Sequence, residues 1–214
     1  MPPLQSVVLH ERNSLRMKNF LTLPQEKQNK VISAAMTLFG EVGYKKAYIS
    51  EIASKAGISK SLIFHYFGSK RALYSYLVYY TGKVVMTEAQ DKRKTLNRDF
   101  FDRVIATIKF RLEIKYRYPA MNLFLESVYN EDDPEVAGDI ERLLAVATDM
   151  HERVQLNSDE IALFKTNVDP QQVVDLIDKY TEGVVYGRND SVSTDDIIED
   201  VTNCMQMLKK NLQR

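Results

Sequence analysis

Three glycines, Gly43, Gly57 and Gly68, cut the stretch from Pro24 to Asp91 into four helical segments, and this punctuation constrains the fold more than any other feature. Val31, Ala35, Leu38 and Val42, with Ile32 and Phe39, recur at three- and four-residue spacing. They predict a helix from about Pro24 to Glu41, with Thr22 and Gln25 as a capping box and Gly43 as its stop. A short helix follows over about Ile49 to Lys55, with Ile52 and Ala53 turned inward, and Gly57 ends it. Ser59 is a good N-cap for a third helix, Lys60 to Phe67. Gly68 breaks that helix, and Ser69 caps a long one from Lys70 to about Asp91. A helix, a tight glycine-bearing turn and a second short helix make a helix-turn-helix.

The rest of the chain keeps the helical period. Asn97 opens a helix that Pro119 ends. A further helix covers about Ala120 to Asn130. Asp133-Pro134 pairs an N-cap with proline at the first helical position and predicts a long helix through about Leu156, with a break at Asn157 to Ile161. Asp169-Pro170 repeats that signal for a helix to about Tyr186. Gly187 to Val192 reads as a turn. Ser193, with Asp196 three residues on, opens a last helix that finishes in Lys209, Lys210 and Arg214, cations suited to the negative end of a helix dipole. No segment alternates like a strand, and there is no internal repeat or low-complexity tract. The expected fold class is all-α, with roughly nine helices.

At 214 residues the chain is long enough for a large buried core. A single cysteine, Cys204, excludes an internal disulfide and a cysteine-based zinc site. The N-terminal residues hold no apolar run longer than Val7-Val8-Leu9, too short for a signal-peptide core, and no segment approaches the roughly 18 apolar residues of a membrane span. The expected location is the cytoplasm, with no membrane partner. Net charge is zero but unevenly spread. From Gln25 to Lys94 there are 12 Lys and Arg against 5 Asp and Glu; from Thr95 to Arg214 the count is 14 against 23. A basic module for a polyanion and an acidic module with another task fit this asymmetry.

Placed on a helical wheel at about 100° per residue, Ile63 and Phe67 fall together and continue the apolar side of Ile52, Ala53 and Ile58. Ser61 and His65 lie opposite, and Phe64 and Tyr66 sit on the flanks. Outward aromatic rings have no stability rationale and suit a docking face. In a helix-turn-helix the second helix enters the major groove, with its N-terminal N–H groups and positive dipole toward phosphate. Lys60 adds charge there, and Lys70 is expected to clamp a second phosphate. Ser61 allows close approach, His65 and Tyr66 carry donors, and Phe64 can pack on sugar or a thymine methyl.

The run from Lys30 to Leu77, containing VISAAMTLFGEVGYKKAYISEIASKAGISKSLIFHYFGSKRALYSYL, resembles the DNA-binding domain of the tetracycline-repressor (TetR) family of bacterial regulators. Two positions depart from the family pattern: Tyr48 stands where Ser or Thr is usual, and Phe64 where Tyr is usual. The resemblance implies DNA contacts at Lys60, Ser61, Phe64, His65, Tyr66 and Lys70. It also implies a homodimer, a palindromic double-stranded DNA operator, a small-molecule effector of unknown identity in a cavity of the remaining helices, and usually repression. The expected organisation is a loose arm or misassigned start over 1–23, a DNA-binding domain over 24–84 with the helix-turn-helix at about 48–67, and a ligand-binding and dimerisation domain over 85–214.

In the acidic part, the last two helices carry apolar faces that include Val174, Ile177 and Val184, then Val201, Met205 and Leu208. Periodicity alone fits these as intrachain core or as a four-helix interface between two subunits, and the resemblance selects the second. Phe110, Phe124, Tyr129 and Met150 are candidates for an adaptable apolar pocket, although a Met and aromatic set also reads as plain core. His10 falls in the arm, and the solitary His151 reads as helix surface. No phosphate loop, nucleophile–base pairing or metal-ligand spacing is present, so no enzyme, metal or cofactor is expected. The alternatives are a DNA-binding or architectural protein without small-molecule control, and an enzyme on a helical scaffold whose basic module holds an anionic substrate.

Overall fold

The computed structural model describes residues 11–92, 99–152, 155–187 and 192–214, with side chains described throughout these except at 11–15, 90–92, 145–152 and 186. His10 and Asn97, and the side chains of Met150 and His151, lie outside the described residues. Eleven helices run through the described chain: α1 (Glu11–Leu21), α2 (Gln25–Lys46), α3 (Ile49–Ala56), α4 (Lys60–Phe67), α5 (Lys70–Lys92), α6 (Phe100–Arg117), α7 (Pro119–Val128), α8 (Ala137–Glu152), α9 (Ser158–Ala162), α10 (Pro170–Tyr186) and α11 (Thr194–Leu212). Among the described residues, none of these is long and apolar enough to cross a membrane. The chain divides into two compact units: Met1–Glu88 with Tyr118–Val146, and Ala89–Arg117 with Ala147–Arg214.

The first unit is organised around α2. Its Val31, Ile32, Ala35, Met36, Leu38 and Phe39 are buried, and it packs on α3 and α7. Gly40 makes the α7 contact possible. A Cβ there would stand 2.8 Å from the carbonyl carbon of Leu123 and 2.9 Å from its oxygen, so backbone would have to move. Gly43, at φ 76, breaks the regular helix inside α2, and the N–H of Tyr44 donates to Glu131 Oε2 at 2.6 Å. Phe39, Tyr44, Tyr74 and Phe124 then meet ring to ring, with centroids 5.1–6.4 Å apart. Each buried ring contributes about 2–3 kcal/mol of hydrophobic stabilisation.

Three local expectations change. The sequence offered no element before Pro24, yet α1 is helical, with Met17 and Phe20 buried. So few apolar side chains make no readable period. The Thr22–Gln25 capping box does not form: Thr22 Oγ1 donates to Asn19 O, Gln25 donates to Asn29, and α2 begins after Pro24 with no side-chain cap. Gln28 closes that corner, donating to the carbonyls of Leu21 and Leu23. α8 starts at Ala137 rather than at Pro134, because Asp133 spends its side chain and carbonyl on a turn through Glu135 and Val136.

The second unit packs α6 against α10 and α11 over Phe101, Val104, Ile108, Leu112, Ile177, Val201 and Met205, with Phe164 beside them. Asp99 starts α6 by accepting from the N–H groups of Phe101 and Asp102. The expected break near Asn157 is a helix of its own, α9. Asn157 and Glu160 form a reciprocal capping box there. Glu160 is buried and receives a two-pronged contact from Arg103, at 2.6 and 2.9 Å, whose guanidinium also donates to Gln155 O.

The Arg103 hydrogen bond holds the Glu160 carboxyl below its ordinary value of 4.5, against the opposing effect of burial. A carboxyl lowered in the folded state stabilises above its unfolded value, and that stability is lost as pH falls through the folded one. Replacing Arg103 by Met should cost about 3 kcal/mol near neutrality by stranding a buried carboxylate. Urea unfolding across pH checks this: the difference between wild type and variant should shrink as pH falls below about 4.5. A gap that does not change with pH would assign Arg103 a packing role only.

Candidate functional site

The site is built on a helix of eight residues, α4. Such a helix has no independent stability, so its neighbours must hold it. The turn before it is fixed by Gly57, at φ 69, a left-handed position that favours glycine. The Ile58 N–H donates to Ala53 O and the Gly57 N–H to Ser54 O, the paired bonds of a Schellman motif. Ser59 is extended, and its Oγ accepts from the Leu62 N–H at 3.3 Å and lies 2.8 Å from Ser61 Oγ. Ile63 and Phe67 are buried, as the wheel predicts, while Lys60, Ser61, Leu62, Phe64 and His65 are exposed.

The outward residues differ in detail from the expectation. Lys60 Nζ stands over the Phe64 ring at 5.9 Å from its centroid, so the charge and the ring form one amphipathic feature. His65 is edge-on to Tyr66 at 5.4 Å, and its Nε2 is 3.5 Å from Asn19 Nδ2. Tyr66 is half-buried, its ring 5.8 Å from that of Phe20. Leu62 and Tyr48 are exposed apolar surface that the sequence reading did not select for this face, since both types default to the interior. Tyr48 precedes α3 without capping it. The stretch from Ile52 to Thr87 contains no Asp or Glu and holds Lys55, Lys60, Lys70, Arg71 and Lys83. That local absence of acid is sharper than the module-wide charge count.

Lys70 is placed differently. Its ammonium donates to the carbonyls of Tyr44, Lys45 and Ala47 at 2.9, 3.3 and 3.3 Å, and it sits 4.4 Å from the centroid of the Tyr44 ring. Three donors meet three acceptors, so the expected phosphate clamp instead closes the end of α2 onto the start of α5. Lys70→Met should lower stability by about 1–3 kcal/mol through the stranded carbonyls. It should leave the salt dependence of any polyanion binding unchanged. Denaturant titration beside a salt titration checks both; wild-type stability with a shallower salt slope would restore the phosphate role.

The candidate pocket residues are divided between the two units. Phe124 is fully buried in the first unit against Phe39 and Tyr74, Tyr129 is 54% exposed, Phe110 is buried in the second unit, and the Met150 side chain lies outside the described residues. The polar feature missed by the sequence lies on α5. Tyr74 and Tyr80 hydroxyls and Thr81 Oγ1 are buried without a hydrogen-bond partner among the described residues, and burial pushes the Tyr80 hydroxyl up to about 12, keeping it a donor. Such groups are costly to bury unpaired. Nothing in an apolar helical period distinguishes them from core tyrosines. Of the candidate interface residues, Ile177, Val201 and Met205 are buried in their own chain's core, and Val174, Val184 and Leu208 pack against it half-buried. The large apolar side chains exposed on these two helices are Leu176, 56% exposed, and Met207, 54% exposed.

Residues 31–77 match the family model for bacterial regulatory proteins of the tetR family. The biofilm operon icaADBC HTH-type negative transcriptional regulator IcaR of Staphylococcus aureus (strain Newman) is 25% identical over 120 residues, covering 54% of this chain and 62% of that protein. This chain spans between about a fifth and about three fifths of the length of the curated relatives it matches first. A TetR family transcriptional regulator from Chloroflexus aurantiacus J-10-FL superposes with a TM-score of 0.71 at 16% identity, covering 92% of this chain and 98% of that one. AibR, solved with isovaleryl coenzyme A and operator DNA, superposes with a TM-score of 0.63 at 14% identity over 84% of this chain and 97% of its own. The match to the tetR family model is confined to residues 31–77, and the solved structures share the all-helical fold of the chain.

Proposed function

We propose that this chain is a dimeric transcriptional regulator that reads a palindromic operator through α4 and is released by a small apolar or amphipathic ligand. The observation that carries the reading is the outward face of α4. Ser61, Phe64 and His65, with Lys60 at the N-terminal end, stay exposed while Ile63 and Phe67 anchor the helix. In this reading residues 24–84 are the DNA-binding portion and 85–214 carry the dimer contacts. Ser61 permits close approach, Lys60 meets phosphate, His65 and Tyr66 reach base edges or phosphate, and Phe64 packs on sugar or a thymine methyl. A family of regulators also gives no reason to assign an enzymatic step.

The ligand reading is supported by the hydroxyls of α5 that lack a partner among the described residues; α5 is separated from the recognition helix by Gly68 and Ser69 alone. A ligand that pairs with Tyr74, Tyr80 or Thr81 gains hydrogen bonds at groups already desolvated. AibR was solved with an acyl coenzyme A and operator DNA, and IcaR is described as a negative regulator, which favours a ligand-released repressor. A ligand with a tenfold preference for the DNA-incompetent state shifts the balance by about 1.4 kcal/mol.

Titration of fluorescent duplex from the gene's own upstream region tests the DNA reading. Binding should weaken steeply with salt, and Lys60→Ala should weaken it at least several-fold while lowering the log–log slope by about one. His65→Ala should weaken it with discrimination between related duplexes reduced. Binding that ignores salt and both substitutions would rule out this face.

The dimer contact is assigned to the outward sides of α10 and α11. Gln172, Leu176, Lys179 and Gly183 fall on one face of α10, and Asn203, Met207 and Lys210 on one face of α11, all exposed. Two such helices from each subunit make a four-helix contact centred on Leu176 and Met207. The double variant Leu176→Arg, Met207→Arg should sediment as a monomer with unchanged helicity and lose operator affinity. A variant that remains dimeric would move the interface elsewhere.

A further inference from the structure

The helix before the matched domain is not accounted for by the reading above. α1 packs on α4, and the fixing is done by aromatic rings. Phe20 is fully buried, with its centroid 4.8 Å from that of Phe67, 5.6 Å from Tyr76 and 5.8 Å from Tyr66. Met17 is buried one turn earlier, and Gln28 ties the corner after α1 to the carbonyls of Leu21 and Leu23. The rotation of α1 about its own axis is therefore set. With Phe20 and Met17 inward, Arg16 and Asn19 share one flank, and Lys18 falls on the opposite one. The Asn19 amide lies 3.5 Å from the outward ring of His65, so the flank that carries Arg16 continues the exposed surface of α4. Arg16 is exposed, and the N-terminal 24 residues hold Arg12, Arg16 and Lys18 against one acid, Glu11.

We propose that α1 is a second DNA-contacting helix, in which Arg16 meets a phosphate beside the site reached by His65. The occupant is the duplex backbone. Arg16 is a flexible, permanently charged donor on a flank continuous with the α4 face, and that continuous surface includes no acidic residue of α4. Asn19 is a positioning residue: its amide beside the imidazole favours the orientation in which the opposite ring edge faces outward. The proposal rests on the DNA-binding reading of α4 and enlarges its footprint.

The full chain, with a duplex selected by the wild-type protein from a random pool, provides the test. Arg16→Ala should weaken binding about five- to tenfold at moderate salt and lower the salt slope by about one, with helicity and unfolding midpoint unchanged. Lys18→Ala, on the other flank, should stay within about twofold of wild type. Asn19→Leu should alter preference among duplexes differing by single base pairs more than it alters salt slope. If Arg16→Ala binds like wild type while Lys60→Ala is weakened, α1 does not touch DNA and the reading of α4 stands. Equal losses from Arg16→Ala and Lys18→Ala would reduce the effect to net charge and overturn the proposal. If the wild type enriches no duplex, both readings fall together.

Discussion

Everything at the site depends on how an eight-residue helix is held in place. α4 has two buried side chains, Ile63 and Phe67, and too few backbone bonds to persist by itself. Its orientation is imposed from both ends. Before it, the Schellman bonds at Gly57 and the Ser59 cap fix where the chain enters. After it, Gly68 turns the chain into α5, whose first residue is pinned by its own ammonium to the end of α2. Phe20 closes the remaining side. Ser61 and His65 are exposed because the opposite side of the helix is fully occupied.

Lys70 shows why a charge in a motif and a charge at a surface are different things. By sequence it stands at a helix start in a basic run, a good place for a phosphate. In space, α2 ends at Lys46 with the chain extended at Ala47, which leaves the carbonyls of Tyr44, Lys45 and Ala47 without helical partners, and they converge on one ammonium. The Tyr44 ring beneath it makes the site a cage. A lysine with all three donors satisfied inside the protein gains little by turning outward. The positive surface is left to Lys60 and to neighbours that have no carbonyls to meet.

Helix existence, the glycine stops after α3 and α4 and the inward pair on α4 were legible in the sequence because each is set by local chemistry: period, cap or positive φ; the third glycine, Gly43, kinks α2 without ending it. The Ser59 and Ser193 caps formed where the sequence placed them. What was not legible depends on distance in space. α1 is anchored by Phe20, whose ring partners Tyr66, Phe67 and Tyr76 lie far along the chain on α4 and α5. The Thr22 hydroxyl could accept from the Gln25 N–H or donate to a carbonyl, and it donates to Asn19 O. On α10 and α11 the apolar period by itself does not separate intrachain core from a subunit interface. Ile177, Val201 and Met205 face their own core, and the residues that interrupt the period, Leu176 and Met207, face out. Phe124 was a pocket candidate by type and is core by position, since Phe39 and Tyr74 were not visibly its neighbours.

The same contacts set what a ligand must do in the proposed regulator. α5 runs from Lys70, at the cage, past Tyr74 to Tyr80 and Thr81 without a break. A rigid helix turns as one body, so a shift that lets a ligand satisfy those hydroxyls also moves the ammonium that holds the end of α2. The three carbonyl bonds resist that shift, each at a net of about 1 kcal/mol. The ligand's preference for the shifted state is then the gain at the hydroxyls minus the loss at the cage. Under that proposal Lys70 is the restraint against which release from DNA is balanced. A cage that is too strong makes the regulator deaf, and one that is too weak leaves α4 without a defined orientation.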